Sequence, residues 1–163
     1  LDDILMTLED LPQSLRPLGQ NRPLMKFKRE AIPPEQSPLL WATSAVHLFT
    51  PWVEGPKFKR QYVLFHEFGH NLHGTMSSQK YDEWLRLSSW VKAGDRWEFD
   101  SIGSCVTSNY AMTHPNEDFA EAASAYRYNG RAFLAQCPEK YRYMKENVFN
   151  NVEYREESQC FGK

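Results

Sequence analysis

The chain has 163 residues, enough for one domain with a hydrophobic core of its own. Its 41% hydrophobic and 25% charged residues are ordinary for a soluble globular protein and argue against disorder. A formal net charge of −2 gives no electrostatic basis for binding nucleic acid or an anionic membrane surface, and no apolar run approaches the roughly 20 residues of a membrane span.

The chain begins at Leu1, and its opening LDDILMTLEDL carries acids where a signal peptide would be basic, so a processed chain or an excised domain is expected. Leu1, Ile4, Leu5, Leu8 and Leu11 recur at helical spacing and predict an amphipathic helix over residues 1–10, stopped near Pro12. Met25 to Lys28 alternates as an exposed strand does, and residues 31–38 form a proline-rich loop. Trp41 to Phe49 reads as a second strand ended by Pro51, with His47 as a packed strand histidine. From Phe58 to His73 the period turns helical, with Gly74 placed to terminate it. Tyr81 to Val91 reads as a short helix, 93–114 as irregular, Pro115 to Tyr128 as a helix with proline in its first turn, and Glu139 to Phe149 as a last helix. Strands first and helices afterwards predict an α+β fold over residues 1–163: one domain with a small N-terminal sheet and a helical C-terminal part.

Aromatic residues make up 14% of the chain and are read first as core, with a peptide-binding groove as the sharper alternative. The three cysteines, Cys105, Cys137 and Cys160, contain no CxxC pair, which argues against a cysteine zinc site. Two settings fit them: a secreted protein in which Cys137 and Cys160 close a loop around the last helix, or a cytosolic one with three reduced thiols.

Residues 66–70 read His-Glu-Phe-Gly-His, a full HExxH. Residues four apart on a helix differ by about 40° around the axis and roughly 6 Å along it, so His66 and His70 can converge on one Zn²⁺. Glu67, about 100° round, is suited to take a proton from a water activated by the metal. The surrounding helix is apolar (Tyr62, Val63, Leu64, Phe65), and buried imidazoles and a carboxylate there need a compensating partner. Gly69 leaves space on this side for substrate or another helix. His73 reads as a helix-end histidine favoured by the helix dipole. A metzincin would carry Gly at 73 and His at 76, where this chain has His73 and Met76.

A catalytic zinc takes three protein ligands and keeps a fourth position for water. The best third ligand lies in residues 116–124: Glu117 and Glu121 share one helical face, Phe119, Ala122, Ala123 and Tyr126 the other, and Ala120 and Ser124 are small enough for close approach of the HExxH helix. Glu117 is the candidate ligand, and Glu121 the candidate hydrogen-bond acceptor that orients an imidazole. The plain alternative is a pair of solvated glutamates. Glu98, the other acid considered, sits where no helical pattern holds it and Arg96 is near in sequence.

His66-Glu67-Phe68-Gly69-His70, then Tyr110, then Glu117-Asp118-Phe119-Ala120-Glu121 resembles the lethal-factor-type zinc endopeptidases, which include the Pro-Pro endopeptidases; residues 137–149 are similar to that family's final helix. The resemblance spans roughly residues 58–149. It implies a zincin-like catalytic domain of gluzincin type, with one zinc per chain held by His66, His70 and Glu117, Glu67 as general base, and Tyr110 as proton donor or oxyanion stabiliser. A second, local resemblance, HEFGHNLHG over residues 66–74, is to the thimet-oligopeptidase family, whose much larger helical fold this chain lacks; Trp97-Glu98-Phe99 echoes its third-ligand stretch only faintly. The expected activity is hydrolysis of a peptide or protein substrate lying extended beside the strand at 41–49, without nucleic acid or membrane. A zinc-stabilised binding or regulatory domain and a zinc hydrolase of non-peptide amides stay open as alternatives, as do oligomeric state and localisation, for which secretion is slightly favoured.

Overall fold

Helix α1 spans Asp2–Asp10, with Asp2 and Asp3 in its first turn, where the helix dipole favours acids. It ends where Leu11 turns extended ahead of Pro12, as the periodicity predicts. The computed structural model describes residues 1–16, 26–30, 39–42, 45–100 and 104–154, with mixed α and β content: seven α-helices and two small sheets among those residues. The proline-rich stretch at 31–38 and Cys160 lie outside the described residues. None of the described helices is long and apolar enough to cross a membrane. Two compact units, residues 1–68 and 69–163, divide the chain within helix α3.

In the first unit, β1 (Lys26–Glu30), β2 (Leu39–Ala42) and β3 (Ala45–Phe49) form a sheet in the order β1-β3-β2. β3 runs parallel to β1 and antiparallel to β2. The expected single strand from Trp41 to Phe49 is therefore two, with Ala42 paired to Ala45. Because β3 has a partner on each side, a peptide cannot add to residues 45–49, and the expectation of substrate beside 41–49 fails for that part. Val46 and Leu48 are buried, while His47 is half-buried and stacks on Phe49 with ring centroids 6.5 Å apart. Pro51 ends the strand and also opens a short helix, α2 (Thr50–Val53). Helix α3 (Lys57–Gly74) follows. The Arg60 guanidinium holds Asp3 of α1 through Nε at 2.8 Å and a terminal nitrogen at 2.7 Å, and also bonds the Gly55 carbonyl. Trp52 Nε1 donates to the Arg60 carbonyl at 2.9 Å.

In the second unit, α4 (Ser78–Leu87) is capped by Ser77, and Trp90 and Val91, expected at its end, belong instead to strand β4 (Trp90–Ala93). β4 pairs antiparallel with β5 (Arg96–Phe99), a hairpin inside a stretch expected to be irregular. Gly94, at φ +63°, supplies the first central residue of the two-residue Gly94-Asp95 turn, a position that only glycine fills without strain. Helix α5 (Pro115–Tyr128) has the expected bounds. α6 (Gly130–Gln136) was not expected; α7 (Pro138–Tyr143) continues into a π-helical turn, Met144–Val148, where one last helix was predicted.

Trp84, Phe119, Tyr126, Met144 and Phe149 fill the interior of this unit, with Trp84 edge-on to Phe119 at 5.2 Å and Tyr126 stacked on Phe149 at 4.8 Å. About half of the aromatic residues whose burial is described are thus core. The disulfide joins Cys105 to Cys137, 32 residues apart in sequence, so the pairing of Cys137 with Cys160 is corrected. Cys137 sits at the junction of α6 and α7, and Gln136 Nε2 donates to the Val106 carbonyl at 3.0 Å beside it.

Candidate metal centre

Just before and within the motif, Leu64, Phe65 and Phe68 of α3 are almost wholly inaccessible, while Tyr62 and Val63 are half-buried. This burial carries His66 and Glu67 with it, at 7% and 6% exposure, while His70 is half-buried. At the C-terminal end, the Leu72 and His73 carbonyls accept from the Thr75 and Met76 amides. Gly74 is the last helical residue, as the sequence predicts, and has no positive φ.

Helix α5 begins with His114 as its cap: His114 Nδ1 accepts from the Asn116 amide at 3.2 Å, and Pro115 occupies the first turn, where a missing N–H costs nothing. Asn116 Oδ1 accepts from the Tyr81 hydroxyl at 2.9 Å, and burial pushes that phenol up to about 12. A Cβ placed on Gly69 would lie 2.7 Å from Ala120 Cα and 3.1 Å from its Cβ. The space left by Gly69 is thus filled by the backbone of α5, and Ala120 is small where closeness requires it.

That approach brings Glu117 to His70, with Oε2 3.3 Å from Nε2. His66, His70 and Glu117 each offer one ligand atom, and these atoms all lie within 4.8 Å of one another. Two ligand atoms at 2.0–2.1 Å from a tetrahedral zinc stand about 3.3 Å apart, the spacing of the His70–Glu117 pair. Two neutral imidazoles and one carboxylate form a donor set suited to zinc, and the group as placed can hold a metal ion.

Of the other predicted residues, Glu67 is buried next to His66, and Glu121 is half-buried one turn beyond Glu117 on α5. Tyr110 stands exposed on the single 3₁₀ turn, Tyr110–Met112, that leads into α5. Glu98 is exposed on β5 opposite Val91 and is not in the metal-holding group.

His73 is not the dipole-favoured cation expected. Its ring lies 4.5 Å from Tyr81 and 5.6 Å from Phe119, and burial, with smaller contributions from His70 and His114, lowers its pKa to about 4. It packs as a neutral aromatic.

Sequence reasoning missed one buried polar group here. Asp118, fully buried, binds Lys140 Nζ through both carboxylate oxygens at 2.7 and 2.8 Å and accepts from Trp90 Nε1 at 3.2 Å. Lys140 is 2% exposed and lies 5.0 Å from the Trp84 ring centre. Burial pushes the Asp118 carboxyl up and the Lys140 ammonium down, and each partner opposes the shift of the other. The signal was present: Asp118 shares the apolar face of α5 with Ala122 and Ala125, an odd place for an unpartnered acid.

Comparison with protein-family models, with curated proteins and with solved structures gives no match to this chain.

Proposed function

We propose that the chain is a zinc-dependent endopeptidase of gluzincin type, built on a zincin-like domain, with His66, His70 and Glu117 as the ligands of one zinc ion. The observation that carries this reading is the convergence of the two HExxH histidines with a glutamate from a separate helix. Glu67 separates the enzyme from a purely structural metal site, since a structural site has no use for a carboxylate beside its ligands.

Zinc, when bound, supplies Lewis acidity at the scissile carbonyl and acidifies the attacking water. His66 and His70 would hold it through imidazole nitrogens, and Glu121 is suited to fix the tautomer of one of them by accepting its free N–H. Glu67 takes the proton of the attacking water and delivers it to the leaving amine. Tyr110 donates its hydroxyl proton in a hydrogen bond to the carbonyl oxygen as negative charge gathers there. The Cys105–Cys137 disulfide favours an oxidising, extracellular setting for this chemistry.

The test is metal analysis of the purified protein together with digestion of a proteome-derived peptide library read by mass spectrometry. About one zinc per chain and cleavage abolished by a chelator and by Glu67→Gln are expected. A protein that stays metal-free after incubation with zinc overturns the reading.

A further inference from the structure

We propose that Asp118, gripped by Lys140 and Trp90, is a positioning residue that sets the rotation of α5 and so aims Glu117 at the metal. The inference rests on the zinc reading of the site. Glu117 and Asp118 are consecutive in the first turn of α5, and their side chains leave the helix about 100° apart. Whatever fixes one direction therefore fixes the other. Asp118 is fixed by three hydrogen bonds from two different elements: Lys140 of α7 bonds both of its oxygens, and Trp90 of β4 bonds one. On another side of the same helix, Ala120 is pressed against Gly69.

Stability alone does not call for an ion pair at this place. Replacing a buried pair by apolar side chains of similar volume is often neutral or stabilising, whereas removing one partner costs about 3–5 kcal/mol. What the pair adds is direction, because a carboxylate bonded through both oxygens resists rotation that an apolar contact would allow. The magnitude matters at the metal. With side chains reaching about 6 Å from a helix axis, a rotation of about 10° moves a carboxylate by about 1 Å. Metal–ligand distances tolerate only about 0.2 Å.

The test is the double variant Asp118→Leu/Lys140→Met in the full chain. It is read by thermal unfolding of the metal-free protein, by zinc affinity in chelator competition, and by the visible spectrum of the Co²⁺-substituted form. The expected result is a folded protein with zinc Kd raised about tenfold and an altered cobalt spectrum. A folded double variant with wild-type zinc Kd and wild-type spectrum overturns the proposal. Should the double variant not fold, Trp90→Phe decides, since it leaves the ion pair and removes one donor: zinc Kd raised about threefold with a changed cobalt spectrum supports the role, and no change in either overturns it. Wild-type zinc titration separates the two levels. If the wild type binds no zinc, the site reading fails and the positioning role with it; if it binds zinc as tightly as the variants do, only the positioning role fails.

Discussion

The substitution Gly69→Ala asks how much of the metal centre depends on the crossing of α3 and α5. The new Cβ would stand 2.7 Å from Ala120 Cα, 3.1 Å from Ala120 Cβ and 3.2 Å from Ala120 O. Carbon atoms in contact prefer about 3.5–4.0 Å, so α5 must recede by about 1 Å at Ala120. Two of the three atoms in the way belong to the backbone, and no rotamer change relieves them. Overpacking of this kind costs about 1–3 kcal/mol, against which alanine recovers about 1 kcal/mol of helix propensity relative to glycine. The net loss, about 0–2 kcal/mol, lowers the melting temperature of a chain this size by only a few degrees. Glu117, one turn before Ala120, moves with its helix, and about 1 Å is several times the tolerance of a zinc–carboxylate bond. The variant is therefore expected to stay folded while its zinc Kd, measured by chelator competition, rises about tenfold or more. Adding Ala120→Gly should restore only part of the affinity, because the contact with Cα remains. A Gly69→Ala protein with wild-type zinc affinity and melting temperature would refute the reasoning that the close crossing sets the ligand geometry.

Other perturbations separate the roles of individual residues. Glu117→Ala should sharply weaken zinc binding, Glu121→Ala should cost about 10–100-fold, and Glu98→Ala should do little; zinc titration that shows Glu98→Ala losing the metal while Glu117→Ala keeps it would reverse the ligand assignment. Glu67→Gln should abolish peptide hydrolysis while metal analysis finds zinc retained, and substantial chelator-sensitive turnover would remove Glu67 as the base. Tyr110→Phe should lower kcat by about 10²-fold or more with KM and zinc content little changed, and steady-state kinetics showing a near wild-type kcat would reduce Tyr110 to packing.

Periodicity located the long helices well because their packing agrees with it. α1, α3 and α5 each have an apolar face, and two of them have a physical end as well: Pro12 after α1, and Pro115 with the His114 cap before α5. The candidate ligands were legible for the same reason, since HExxH and the two-glutamate face of α5 are both local helical patterns. The strands were harder. Trp41 to Phe49 is nearly continuous in apolar character, so the sequence pattern does not separate β2 from β3, and Trp90-Val91 extends the apolar pattern of α4 although Ser88-Ser89 ends it. Ser89 takes a positive φ of 58°, which local propensity would not place there. Gly94-Asp95 was a readable hairpin signal that the surrounding charge obscured. The Cys105–Cys137 and Asp118–Lys140 pairings depend on contacts between residues distant in sequence, which no local pattern encodes.

The disulfide also has a topological consequence. Cys105 and Cys137 enclose both Tyr110 and Glu117 in one covalent ring, while His66 and His70 remain outside it. Closing a ring of this size removes about 3–4 kcal/mol of freedom from the unfolded chain. The chain between His70 and Glu117 forms a second loop whenever a metal joins them, and the two loops overlap over residues 105–117. That shared stretch, with Tyr110 near its middle, would then be moored covalently at one end and by coordination at the other. With a metal bound, a chelator and a dithiol reductant would cut opposite moorings of the same short length of chain: the first would disperse the ligands, and the second would slacken the ring that carries Tyr110 and Glu117.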